Sequence, residues 1–174
     1  MLPGAAAGVG LGYVFAASVT PEGVMAAVGV ISALFGAYRL WLARNPMPRE
    51  TARMPDWVGS LFGIGSGFTS QIAHAGQPPF QLWVLPRNLS PQLLVGTTAV
   101  FFGVVNWIKV PAYFALGQFT RENLLTSAVL LPVAVVSTMA GVWLVRRISP
   151  ERFYTAIYWL MILVGVKLVW DGVA

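Results

Sequence analysis

The sequence predicts an all-α, polytopic membrane protein with about five full transmembrane helices, one broken or re-entrant helical segment and an inverted internal repeat. Three observations carry this reading. Of the 174 residues, 57% are hydrophobic and only 10% are charged, against roughly 25% charged in an average soluble domain. The mean hydropathy is +0.72. The apolar residues fall into runs long enough, at about 1.5 Å rise per helical residue, to cross a hydrocarbon layer about 30 Å thick.

The first run, Leu2–Val19, and the second, about Val24–Leu42, read as spans, with Arg39 near enough to the end of the second to snorkel. Three more follow at about Leu93–Leu116, Leu124–Val145 and Phe153–Trp170. Trp41, Trp57, Trp83, Tyr113, Trp143, Tyr154 and Trp170 lie near their ends, as amphipathic rings do at membrane interfaces. The segment Trp57–Pro86 differs. It opens with a stretch dense in Gly, Ser and Thr up to Ile72, then reads His74-Ala75-Gly76-Gln77-Pro78-Pro79. Two successive prolines remove donors and clash with a preceding helical turn, so the helix must break there. A short apolar return, Phe80–Leu85, closes the segment.

Composition also excludes. There is no cysteine, hence no disulfide and no thiolate ligand. One histidine and no carboxylate inside any span leave no multi-ligand metal centre, and no cofactor is expected. The net charge of +5 is scattered over short loops, where it sets membrane orientation rather than binding nucleic acid. Met1-Leu2-Pro3-Gly4 lacks the basic n-region of a cleavable signal peptide.

Shifted against itself by 129 residues, the chain superposes its first two spans on its last two without a gap. Leu2-Pro3 meets Leu131-Pro132, Gly12 meets Gly141, and Thr20-Pro21-Glu22 meets Ser149-Pro150-Glu151. Gly36 meets Gly165 and Trp41 meets Trp170. Within a single transmembrane domain, 1–174, residues 1–42 therefore read as the end of a first repeat, 43–56 as a basic cytoplasmic loop and 57–174 as a complete second repeat. Nothing before Leu2 corresponds to the broken segment and the span after it. The expectation is of a chain lacking the first half of its first repeat, completed by a missing N-terminal half or by a homo-oligomer. Arg44, Arg49 and Arg53 in one loop and Arg146, Arg147 and Arg152 in another both face the cytoplasm if the broken segment is re-entrant. The flanking pairs of spans are then oppositely oriented, an arrangement that recurs in secondary transporters.

Non-helical backbone is tolerated in hydrocarbon only where protein or a water-filled cavity encloses it, so the break is the first candidate site. Its candidates are Ser66, Gly67, Thr69, Ser70, His74, Gly76, Gln77 and Pro78, with Gln71 as a further donor. The competing reading of the glycines is close helix packing. The second candidate lies on the following span, where Thr98, Phe102, Asn106, Lys109 and Tyr113 recur every three or four residues and share a helical face, with Thr97 beside it. A lysine inside a span is costly and signals function by default, the alternative being a snorkelling side chain. Lys109 and His74 both favour an anion, and His74 can change charge near neutral pH. An enzyme is not expected. Ser70 and His74 lie four apart, as a serine hydrolase would like, but residues 63–67 read Gly-Ile-Gly-Ser-Gly, which fails the rhomboid Gly-x-Ser-Gly signature.

Gly65-Ser66-Gly67-Phe68, His74 to Pro79, Leu85-Pro86, Gly96-Thr97-Thr98 with Phe101-Phe102, and Asn106-x-x-Lys109-x-Pro111-x-Tyr113 together resemble the sulfite exporter TauE/SafE family. The resemblance covers Trp57 to the C-terminus as the second repeat, and the first two spans look like the end of the first. It implies a bacterial inner-membrane permease that exports sulfite, an organosulfonate or a related sulfur oxyanion by alternating access. Its partners would be membrane lipid and a small oxyanion, with no nucleic acid. A structural membrane subunit needing a partner chain is the alternative.

Overall fold

The computed structural model describes residues 1–16, 18–44, 55–115, 117 and 119–173. Most of the basic loop, including Arg49 and Arg53, lies outside the described residues.

Helix starts follow a repeated local rule. α1 (Leu2–Phe15) begins at the chain's second residue, while α2 (Pro21–Arg44) starts with Pro behind Thr20. After α3 (Asp56–Ala73) and α4 (Gln77–Val84) with its terminal 3₁₀ turn (Leu85–Arg87), the rule recurs. α5 (Pro91–Ala115) follows Ser90, and α7 (Pro150–Val173) follows Ser149. In each case the hydroxyl accepts a backbone N–H three residues on, from Gly23 at 3.3 Å, Leu93 at 3.4 Å and Arg152 at 3.5 Å. Proline belongs at the first helical position because its missing N–H is an orphan there anyway. α6 (Arg121–Val145) is capped in the same way by Thr120, which accepts from Asn123 at 3.2 Å. These caps place the starts two or three residues before the apolar runs begin.

α2, α5, α6 and α7 are long and apolar enough to cross a membrane, and the chain is a multi-pass helical membrane protein. The run expected at Leu2–Val19 holds a shorter apolar helix. α1 has 14 residues, about 21 Å of helix, because it stops at Phe15 before the turn that leads to the Thr20 cap. Among the described residues there is no strand. The chain divides into two compact units, Met1–Leu89 with Tyr154–Ala174, and Ser90–Phe153.

In the first unit α1 lies parallel to α3, each contributing glycines four residues apart. A Cβ on Gly4 would overlap the Ser60 carbonyl, one on Gly8 the Ile64 carbonyl, and one on Gly12 would fall 2.8 Å from the Gln71 Cβ. Reciprocally, Gly63 and Gly67 leave no room beside the Met1 and Ala5 carbonyls. Between helices in lipid there is no hydrophobic drive, so backbones held this close by small residues supply the packing. α4 then returns antiparallel along α3. Gly65 faces Pro79 at 3.7 Å, and the Trp83 ring stands 2.7 Å from where a Gly59 Cβ would sit. The broken segment is therefore a helical hairpin whose end returns beside its start.

α2 and α7 cross antiparallel, and their contacts repeat under the 129-residue shift. Gly29 meets Gly165 and Gly36 meets Tyr158, and the shift turns one pair into the other. The pairs Ala33–Gly165 and Gly36–Ile162 exchange likewise. Ser32 lies against Met161, its own equivalent, and donates to the Met161 carbonyl at 3.0 Å across a separation of 129 residues. A contact set that maps onto itself marks a two-fold relation. Because the helices are antiparallel, the axis lies across them and the repeat is inverted.

The tip of the hairpin lies lower on α2 than a midplane site would. Ala75 packs with Val24 and Val28 near the start of α2, and Val19 of the α1–α2 turn joins them. In the second unit α5 runs beside α6, with the Gln92 amide 3.5 Å from the Val145 carbonyl. α6 has no buried residue, and its exposed Val, Leu and Met side chains suit hydrocarbon.

These glycines make a stability prediction. Gly8→Ala should lower stability by about 1–3 kcal/mol through overpacking. Gly10→Ala, where a Cβ meets nothing within 4 Å, should raise it by about 0.5–1 kcal/mol. Thermal unfolding of the two variants in detergent, moving in opposite directions, is the measurement.

Candidate substrate-handling site

α3 ends because His74 adopts the left-handed conformation, φ 53° and ψ 17°, which histidine tolerates better than most side chains do. The Ala75 N–H bonds back to the Thr69 carbonyl at 3.2 Å. Gln77, Pro78 and Pro79 then form the first turn of α4, so the prolines that forbid continuation of α3 start the next helix.

Two hydroxyls hold the break. Ser66, fully buried, donates to the Gly76 carbonyl at 2.7 Å. The Thr69 hydroxyl lies 2.9 Å from the Gly65 carbonyl and 3.0 Å from that of Ala75, and its single hydrogen serves both. These donors, which the sequence offered to a solute, are engaged with backbone. The amides of Gly76 and Gln77 stand outside these bonds. Ser70 is buried, and so are Gly76 and Pro78, while the His74 and Gln77 side chains are exposed. Gly67 turns its bare face to α1, so the glycine readings divide: Gly59, Gly63 and Gly67 serve close packing.

In the second unit Lys109 is 2% exposed and its ammonium lies 5.1 Å from the centroid of the Tyr113 ring, within cation–π reach. The buried line on α5 runs through Leu94, Phe101, Val105 and Lys109. Thr98 lies partly buried and donates to the Leu94 carbonyl at 2.8 Å. Thr97 and Asn106 are exposed, so the buried line lies about one residue away from the face drawn from spacing. The break residues belong to the first unit and the α5 residues to the second.

A model of the sulfite exporter TauE/SafE family matches residues 1–168. The chain belongs to this family. The match takes in α1 and α2 as well as the hairpin and runs on into α7, so the TauE/SafE assignment covers almost the whole length. Comparison with curated proteins and with solved structures returned no match. Members of the TauE/SafE family are membrane transporters, and this chain is read as one from here on.

Two groups escaped the sequence reading. Gln71, weighed only as one donor among several, is buried with its Oε1 lacking any hydrogen-bond partner among the described residues. Arg39, read as snorkelling, is bonded to Tyr158 and Asn88 instead. No local spacing joins residues this far apart in the chain.

Ser66→Ala should leave the buried Gly76 carbonyl with only the long 3.5 Å bond from the Phe80 N–H and cost about 1–3 kcal/mol, read as a lower unfolding temperature. His74→Gly should do the reverse, relieving about 1 kcal/mol of left-handed backbone cost. A His74→Gly protein that is stable yet inactive in flux assays would assign the imbalance to the imidazole, and one with full flux would confine residue 74 to a backbone role.

Proposed function

We propose that this TauE/SafE transporter moves a small oxyanion, sulfite, an organosulfonate or a close relative, outward across a bacterial inner membrane by alternating access. The observation that carries the reading is Lys109, an amine 2% exposed within an apolar 25-residue helix. A cation held there is expensive, and such residues mark substrate routes far more often than they mark structure. Lys109 supplies the charge an oxyanion needs, while Tyr113 shields the ammonium. The amides at the start of α4 and the Gln77 and His74 side chains supply hydrogen bonds elsewhere on the route, since the first turn of a helix favours an anion.

The engagement of Ser66 and Thr69 with the break sets a division of labour. Their hydroxyl hydrogens keep the hairpin tip in shape, and their lone pairs face no need for an anion. The inverted relation of α2 and α7 supports alternating access, because two repeats of opposite orientation can exchange conformations at equal energy.

Lys109→Met preserves length and apolar volume, so the variant should insert and fold. Sulfite efflux from proteoliposomes loaded with the purified protein is expected to fall at least about a hundredfold, the scale of losing one buried charge-assisted contact at about 3 kcal/mol. Efflux equal to that of the unmodified protein would remove Lys109 from the route.

A further inference from the structure

Arg39 lies fifteen residues beyond Val24 on α2, about 22 Å farther along the helix, and so at the opposite end of α2 from the hairpin tip. Its guanidinium Nε and Nη2 both donate to the Tyr158 hydroxyl, at 3.2 and 2.9 Å. Nη2 also reaches the Asn88 Oδ1 at 3.4 Å. Asn88 follows the 3₁₀ turn that ends the hairpin. It is itself left-handed at φ 48°, and its own amide donates to the Pro86 carbonyl at 3.3 Å. Tyr154, one turn before Tyr158, donates to the Leu89 carbonyl at 2.7 Å. Arg39 thus joins α2, α7 and the foot of the hairpin.

Every partner of this guanidinium is neutral. Among the described residues no carboxylate pairs with Arg39, and the one ion pair found is Lys167 with Asp171. A planar fork usually meets a carboxylate or phosphate with two parallel bonds. Here one fork is spent on a single phenol oxygen, and Nη1 donates to no described group. Tyr158 is 4% exposed. Its oxygen accepts twice from Arg39, and its hydroxyl hydrogen has no acceptor among the described residues. Asn88 keeps a second amide hydrogen beyond the one given to Pro86. One cluster therefore holds a positive charge and three unspent donors, one of them on a side chain more than nine-tenths buried. A buried hydroxyl hydrogen such as that of Tyr158 is costly unless something accepts it.

We propose that Arg39, Tyr158 and Asn88 form an oxyanion-binding site at the foot of the hairpin, separate from Lys109 and the break. The chemistry it recognises is a small group with several anionic oxygens, whether a dissolved sulfite or sulfonate or the phosphate of a lipid headgroup. α2 runs from this site directly into the basic stretch that begins at Arg44, and α7 follows Arg146 and Arg147 in the chain. On the positive-inside rule the site faces the cytoplasm, the side from which an exported anion arrives. The inference goes beyond the transport reading and stands on binding alone.

The test uses the full chain in detergent, in a Lys109→Met background so that Lys109 cannot contribute. Added sulfite, with chloride at equal ionic strength as control, should raise the unfolding temperature. Tyr158→Phe keeps the packed ring and removes only the hydroxyl; it and Arg39→Gln should each weaken the sulfite dependence about tenfold in midpoint concentration, the loss expected of one charge-assisted bond. If the occupant is instead a headgroup, sulfite produces no shift, and native mass spectrometry finds an anionic phospholipid retained by the unmodified protein and lost in Tyr158→Phe. The proposal is overturned if both substitutions lower the unfolding temperature while sulfite response and lipid retention stay as in the parent. Arg39 would then be a neutral clamp on the hairpin. Should the unmodified protein show no sulfite flux, the transport reading falls but this binding measurement is unaffected.

Discussion

A carbonyl withdrawn from water has to be given a donor, and the shape of this protein's hairpin depends on that requirement being met at its tip. In a continuous helix each carbonyl is served four residues later. At His74 the left-handed turn ends that supply, and Pro78 and Pro79 contribute no N–H to restore it. The Ala75 carbonyl, whose fourth residue on is Pro79, is served by the Thr69 hydroxyl, and the Gly76 carbonyl takes the Ser66 hydroxyl at 2.7 Å beside a long 3.5 Å bond from the Phe80 N–H. Two side chains one turn apart on α3 thereby do what backbone does elsewhere. The chain can reverse near the far end of α2 without leaving backbone groups orphaned.

The same constraint explains why the hairpin stands where it does. Helices in lipid gain little from burying apolar side chains, so their association rests on how closely backbones approach. Gly4, Gly8 and Gly12 press α1 onto the carbonyls of α3, and Gly63 and Gly67 answer from the other side. α2 and α7 use the same device with a wider spacing, Gly29 and Gly36 against Gly165 and Tyr158. There the pairing is also self-complementary, with Ser32 bonded to the residue that the repeat makes its own image. One crossing therefore serves both to pack the first unit and to fix the two-fold relation between the repeats.

Much of this was legible in the sequence, and the limits of legibility have physical causes. Apolar runs located α2, α5, α6 and α7, because hydrocarbon thickness dictates length. They misplaced the starts, because a helix begins at its cap: Thr20-Pro21, Ser90-Pro91 and Ser149-Pro150 were visible but are not apolar. The run Leu2–Val19 overstated α1 for the converse reason, since apolar composition continues past the point where helical bonding stops. The offset of 129 residues was readable from identities such as Gly36 and Gly165, and the structure supplies what identities cannot, namely that these positions touch each other's partners. The donor sets were less legible. Spacing put Ser66 and Thr69 on the break but could not say that their hydrogens go to Gly76, Gly65 and Ala75. Arg39 and Tyr158 are 119 residues apart, and nothing local to either announces the other.

The charges complete the physical case for an anion. Every described acid has a local explanation: Glu22, Asp56, Glu122 and Glu151 occupy the first turns of α2, α3, α6 and α7, where the helix dipole favours negative charge. Asp171 is bonded to Lys167 one turn before it. Lys109 faces the Tyr113 ring, and Arg39 bonds the Tyr158 hydroxyl. Neither sits in the last turn of its helix, where a cation would complement the dipole, and the acids are already accounted for at helix ends. Among the described residues the carboxylates thus stand at helix ends, and these two basic side chains meet aromatic groups instead. This placement supports the proposed oxyanion over a cation, since a fixed positive charge lowers the cost of desolvating an anion beside it.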